Sequence, residues 1–229
     1  MERNGAAGGD GTGTAAAGAW VVSVQVGKVT KPLPDWEGRP TAIDKRPVDG
    51  TVGVGRLGLA GDEHGEPQSH GGVDQAIYLY GQEDLEFWSA RLGRELHPGQ
   101  FGENVTVRGI DVNAALVGER WRVGSALLEL TASRVPCVNF RGWMGEEGWV
   151  RRFTEAGRPG AYARVLEEGT VTAGDPVEVV FRPPASITVA EALRAYHGDA
   201  DLLRRLLALP GVAAKWHRVA ERVLQRKPT

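Results

Sequence analysis

The stretch WVVSVQVGKV, residues 20–29, decides the fold class. Its apolar residues alternate at period two, which predicts a strand with Val22, Val24 and Val26 on one face. ERWRVGSALLELTAS at 119–133 and NVTVRG at 104–109 read as further strands, and AIYLY at 76–80 as a short buried one. TAIDKRPVDGTVGVGRLGL at 41–59 reads as two short strands around Pro47 and a turn at Asp49–Gly50. AYARVLEEGTVTAGDPVEVVF at 161–181 reads as two strands around a turn. The chain holds 32 glycines, and so many tight segments point to a turn-rich, partly β architecture.

Helices follow from the other periodicity. QEDLEFWSARL at 82–92 places Leu85, Trp88 and Leu92 at i, i+3 and i+7 behind acidic residues suited to a helix start. Residues 143–156 predict a helix carrying Trp149 and Phe153, with Trp143 and Trp149 assigned to packing because large aromatics mostly bury. RPPAS at 182–186 reads as a linker, since two prolines continue neither strand nor helix. Beyond it, Thr188 caps a helix with Val189, Leu193 and Tyr196. Asp199 or Asp201 starts a second with Leu202, Leu206 and Leu209, which Pro210–Gly211 breaks. Val212, Trp216, Val219 and Val223 form a third stripe. The expected class is α+β: a tail at 1–18, a β-rich domain at 19–182 and a three-helix module at 183–229.

Composition narrows the function. Residues 1–18, MERNGAAGGDGTGTAAAG, offer almost no large apolar group, predict disorder, and lack the apolar core of a signal peptide, so a cytoplasmic protein is expected. No apolar run approaches the ~20 residues of a membrane span. A formal net charge of −2 argues against a nucleic-acid binder. One cysteine excludes an internal disulfide and every multi-cysteine zinc or iron–sulfur site.

Several features compete for the chemistry. GVGRLG at 53–58 matches a dinucleotide fingerprint, but no helix opens after it, so turns explain it better. Asn104-Val105-Thr106 matches a glycosylation acceptor, which matters only in a secreted protein. Lys45 and Arg46 are adjacent on a strand and point to opposite faces, so one of them is expected inward; the pair reads either as surface charge or as an anion site. The long loop at 60–75 contains Asp62, His64, His70, Gly71 and Gly72; these are too sparse for a convincing zinc site, and the glycines would let backbone amides approach a ligand. Cys137 follows Arg134-Val135-Pro136 at a strand end. It is either a small buried hydrophobe or a cation-activated thiolate completing the coordination of a metal already held by a cofactor. Asn104 caps a turn or offers a donor and an acceptor to a ligand.

Taken together, IDKRPVDGTVGVGRLGLAGDEHGEPQSHGGVDQAIYLY at 43–80, FGENVTV at 101–107, VGERWRVGSALLELTASRVPC at 117–137 and TVTAGDPVEVV at 170–180 resemble the MOSC family, named for the C-terminal domain of molybdenum-cofactor sulfurases. The stand-alone bacterial branch of N-hydroxylaminopurine resistance proteins is most similar. The resemblance implies a β-barrel-like fold with flanking helices and a small helical domain after about residue 186. It also implies a bound molybdenum cofactor, a pterin dithiolene with a phosphate. Cys137 matches the metal-coordinating cysteine. Lys45, Arg46 and Arg134 match positions near phosphate and pterin, and Gly71 falls in the same HGG motif. His70 and Asn104 match positions lining the cleft, with His70 a candidate proton source. The implied reaction is reduction of N-hydroxylated bases or amidoximes to amines, with electrons from an external donor protein. A non-catalytic cofactor carrier or sulfur-handling module would use the same pocket. The amphipathic stripes at 188–224 pack on one another and on the barrel, serve a homodimer interface, or form an interaction surface.

Overall fold

A computed structural model describes residues 18–30, 40–65 and 71–224. The expected disordered tail therefore lies, but for Gly18, outside the described residues. Eight strands form one sheet. In chain order they are β1 (Trp20–Gly27), β2 (Lys45–Pro47), β5 (Ile77–Gly81), β6 (Val105–Arg108), β7 (Arg120–Val123), β8 (Ala126–Ser133), β9 (Ala161–Glu167) and β11 (Val177–Phe181). Between them, β3 (Val52–Gly55), β4 (Gly58–Leu59) and β10 (Gly169–Val171) form a second, three-stranded sheet. The large sheet runs β11-β7-β8-β9-β5-β6-β1-β2 and is antiparallel except at β5–β6. Helix α1 (Gln82–Leu92) supplies the crossover that this parallel pair requires.

The sheet curls back on itself. Val21 N–H donates to the Asp175 carbonyl at 2.8 Å and Val177 N–H to the Ala19 carbonyl at 2.8 Å, so the start of β1 meets the start of β11. These bonds draw the two sides of the sheet together at one end, giving the barrel-like curvature expected above. Inside lie Val21, Val24, Leu79, Val105, Val107, Trp121, Leu128 and Leu130.

Three local expectations are corrected. In β1 the core side chains are Val21 and Val24, whereas Val22 and Val26 are only partly buried; a register shift between Val21 and Ser23 adds a residue and breaks strict alternation. Residues 161–181 hold three strands, because β10 leaves the large sheet to pair with β3. The helix expected over 143–156 is two: α2 (Val138–Met144) and α3 (Trp149–Ala156), separated by Gly145 and Gly148, both at positive φ. Trp149 and Phe153 are fully buried with Trp88, Phe101 and Phe140, a cluster of tilted, stacked and edge-to-face rings that fixes α1, α2 and α3 on the sheet. GVGRLG is the β3–β4 hairpin, with no helix after it.

The last three helices are α4 (Val189–Tyr196), α5 (Ala200–Leu207) and α6 (Lys215–Leu224). Thr188 caps α4 in a full capping box with Glu191, and Asp199 caps α5. Their apolar stripes meet one another, and Trp216 shares their cluster with Val117, in the turn before β7, and Ala132 of β8. The Trp216 indole N–H donates to the Thr131 carbonyl at 3.1 Å, which ties α6 to β8. No helix among the described residues is long and apolar enough to cross a membrane.

A candidate active-site cleft between the sheet and the C-terminal helices

Where β8 ends, the chain runs through Arg134-Val135-Pro136 to Cys137 and then enters α2. This segment lines a cleft of two lobes that share Gly71, Gln75, Arg134, Cys137 and Tyr162. The inner lobe is walled by Ile43, Lys45, His64, Tyr78 and Asn104. The outer lobe opens between α2 and the C-terminal helices and adds Arg141, Tyr196, Lys215 and Arg218. The inner lobe encloses only about 80 Å³, whereas the outer lobe encloses about 760 Å³, the size of a small-molecule site.

The floor of the inner lobe is a closed polar network. Lys45 points inward and pairs with Asp62; only 8% of one side chain and 1% of the other is exposed. The Asp62 carboxylate also accepts from Gly27 N–H at 2.7 Å and from Asn104 Nδ2 at 2.8 Å. Asn104 Oδ1 accepts from Tyr78 N–H at 3.1 Å. Burial pushes Lys45 below the ordinary lysine range, against the pull of Asp62. Lys45 and Asn104 thus line the cleft with their charge and amide groups already engaged, and Asp62 is the anchor that holds them. Arg46, the other half of the pair, leaves the cleft: its guanidinium meets Asp44 at 2.6 Å and its side chain is 59% exposed.

Arg134 is different. It is 6% exposed, and its guanidinium lies 4.3 Å from the Phe140 ring centroid and 5.1 Å from that of Tyr78. Its Nε is buried without a hydrogen-bond partner among the described residues. Burial opposes its charge, yet Tyr162, Tyr78, Cys137 and Glu103 hold its pKa above the usual value. Tyr162 is pushed up by burial, with Arg134 opposing. A buried, partnerless donor in a native cleft asks for a ligand or water.

Cys137, the single cysteine, is partly exposed and lines both lobes. Gly71 borders the same space at φ +88°, where a Cβ would come within 2.8 Å of the His64 ring, so glycine is required. His70 lies outside the described residues. Among the described residues no group of three His, Cys, Asp or Glu side chains is placed to hold a metal ion by itself. The sequence reading missed Tyr162, Lys215 and Arg218. Tyr162 is one aromatic in an ordinary strand, and the two cations sit on a helix whose apolar stripe was its only signal.

The cleft and curled sheet define an α+β protein with a thiol-and-guanidinium pocket. The MOSC domain profile matches residues 66–178. Protein YflK of Bacillus subtilis (strain 168) is 33% identical over 199 residues, 86% of this chain and 90% of YflK. The crystal structure of YiiM from Geobacillus stearothermophilus superposes with a TM-score of 0.75 at 28% identity, covering 90% of this chain and 99% of that one. A protein named reductase from Gibberella moniliformis (strain M3125 / FGSC 7600) is 28% identical over 177 residues, 74% of this chain, which spans 31% of its length. The chain belongs to the MOSC domain family.

Proposed function

We propose that this cleft binds a molybdenum cofactor and that the protein reduces N-hydroxylated compounds, such as N-hydroxylated bases and amidoximes, to amines. The observation that carries the reading is the convergence of the Cys137 sulfur and the partnerless Arg134 Nε on one cleft. These residues fit the group. A thiolate is a soft donor suited to molybdenum, and a guanidinium forks onto phosphate or polar pterin edges. When bound, the cofactor supplies the two-electron chemistry.

The chain's own residues do the rest. Cys137 would hold the metal. Arg134, fixed between Phe140 and Tyr78, would donate to the cofactor without having to break an ion pair, because among the described residues no carboxylate is paired with it. Asp62, Lys45 and Asn104 keep the floor rigid, and Gly71 lets the backbone approach. Tyr162 lines both lobes and Phe140 packs against the Arg134 guanidinium, a low-dielectric setting that strengthens a charge-assisted bond from it. The electrons come from an external donor protein. The low-identity relative named reductase supports the direction of the chemistry.

The test is elemental analysis for molybdenum on protein from a cofactor-competent host, paired with turnover of an N-hydroxylated base. Wild type is expected to carry molybdenum, and Cys137→Ala to lose turnover while its thermal unfolding stays within a few degrees. Turnover by Cys137→Ala removes the thiolate from the reaction. Tight cofactor binding with no turnover by wild type means a carrier.

A further inference from the structure

The outer lobe is closed on one side by α6, and Lys215 is the first residue of that helix. Its Nζ makes one long hydrogen bond, 3.4 Å to the Ser133 carbonyl at the end of β8. Around it lie the Trp216 ring at 5.1 Å and the Tyr162 ring at 5.6 Å. Asp74, in the 3-10 turn Val73–Gln75, attracts the ammonium but is bound to Arg164 of β9 at 2.9 Å. Among the described residues no carboxylate pairs with Lys215. Arg218, one turn on, and Arg134, where β8 ends, add positive charge to the same cleft, and Cys137 borders it. Arg141 from α2 and Tyr196 from α4 complete the wall. An ammonium cradled by rings, held by one distant carbonyl and, among the described residues, by no carboxylate, stands on the cleft that holds the thiol with a proton to give.

We propose that Lys215 is the proton donor to the departing hydroxyl, so that the C-terminal helices supply a catalytic residue to the cleft. This rests on the reductase reading above. The overall change is R–NH–OH + 2 e⁻ + 2 H⁺ → R–NH2 + H2O. The N–O bond breaks, and two electrons arrive from a reduced iron–sulfur or flavin protein. Lys215 gives one proton to the leaving oxygen, which departs as water, and solvent supplies the proton on nitrogen. The lysine is reprotonated from water through the open mouth of the outer lobe. Burial, assisted by Arg218 and opposed by Asp74, lowers its pKa from 10.5 to about 7, which matches a general acid to neutral pH.

The experiment has two arms. In the first, the Nζ of Lys215 is titrated by NMR in the full chain as purified, without added molybdenum. A midpoint near 7 is expected, and one in the ordinary range above 10 overturns the proposal. In the second, cofactor-loaded wild type, Lys215→Met and Lys215→Arg are compared across pH on an N-hydroxylated base. Wild-type kcat should fall as pH rises through the Lys215 midpoint. Lys215→Met, which keeps the packing on Tyr162 and Trp216, should lose about 10²–10⁴-fold in kcat with KM little changed. Lys215→Arg should stay impaired, because arginine does not release its proton in this range. Full rescue by arginine, or a methionine variant as fast as wild type, refutes the proposal and leaves the reductase reading standing. Inactive wild type, loaded with molybdenum, refutes both.

Discussion

Asp62→Asn is the sharpest test of the inner lobe. The substitution keeps volume and shape but removes the charge that balances Lys45. In the native protein that carboxylate meets the Lys45 ammonium, the Gly27 amide at 2.7 Å and the Asn104 side chain at 2.8 Å, with 1% of the Asp62 side chain exposed. The partner cannot escape to water, since only 8% of the Lys45 side chain is exposed. Removing one member of such a buried pair costs about 3–5 kcal/mol, because the remaining charge stays desolvated. Against a typical total of about 5–15 kcal/mol, this is a large share of stability. The measure is urea unfolding followed together by circular dichroism and tryptophan fluorescence. Adding Lys45→Met to Asp62→Asn should recover part of the loss, because the uncompensated ammonium is gone. That non-additivity is the signature of a coupled pair. Salt should change the result little, as buried pairs are weakly screened. A loss below about 1 kcal/mol for Asp62→Asn, or a double variant as weak as the sum of the singles, would refute the buried network.

Other outcomes follow from the same structure. Lys215 titrates near 7 when folded and near 10.5 when unfolded, so over that window the unfolded chain binds more protons and wild-type stability rises with pH. Relative to Lys215→Met, wild type should therefore gain stability between pH 7 and pH 9.5 in urea unfolding; a constant gap places the ammonium in solvent. Thr188→Ala removes a capping box in which Thr188 Oγ accepts from Glu191 N–H at 3.0 Å and Glu191 answers at 2.8 Å. It should cost about 1 kcal/mol by thermal unfolding. Trp216→Ala empties a fully buried site and breaks the bond to the Thr131 carbonyl, costing about 3–5 kcal/mol. Hydrogen exchange should then show residues 189–224 losing protection before β7 and β8.

Period-two and period-3.6 patterning was readable wherever burial is one-sided. α1 spans the residues that its periodicity and acidic start predict, Thr188 caps α4 as expected, and of the candidates Asp199 and Asp201 it is Asp199 that caps α5. Readability failed where pairing is non-local. The shift in β1 arises only because β6 lies beside it, and the three residues of β10 become a strand only by meeting β3. α2 is short and contains Asn139 and Gly142, so local propensity says little of it. In the site, alternation showed that one of Lys45 and Arg46 points inward but not which; the buried Asp62 selects Lys45. Arg134 and Cys137 were visible because they are close in sequence. Lys215 carries no motif and lies far along the chain, and only the docking of α6 through Trp216 brings it near.

That docking sets a timetable. Sulfur and guanidinium leave the ribosome well ahead of the helix that walls them in, so a growing chain presents a half-built, open trough. Whatever the finished pocket captures must arrive after synthesis has passed residue 215, or be held meanwhile without its last wall. Until α6 docks, the side of the trough beside Cys137 and Arg134 that it later covers stays bare.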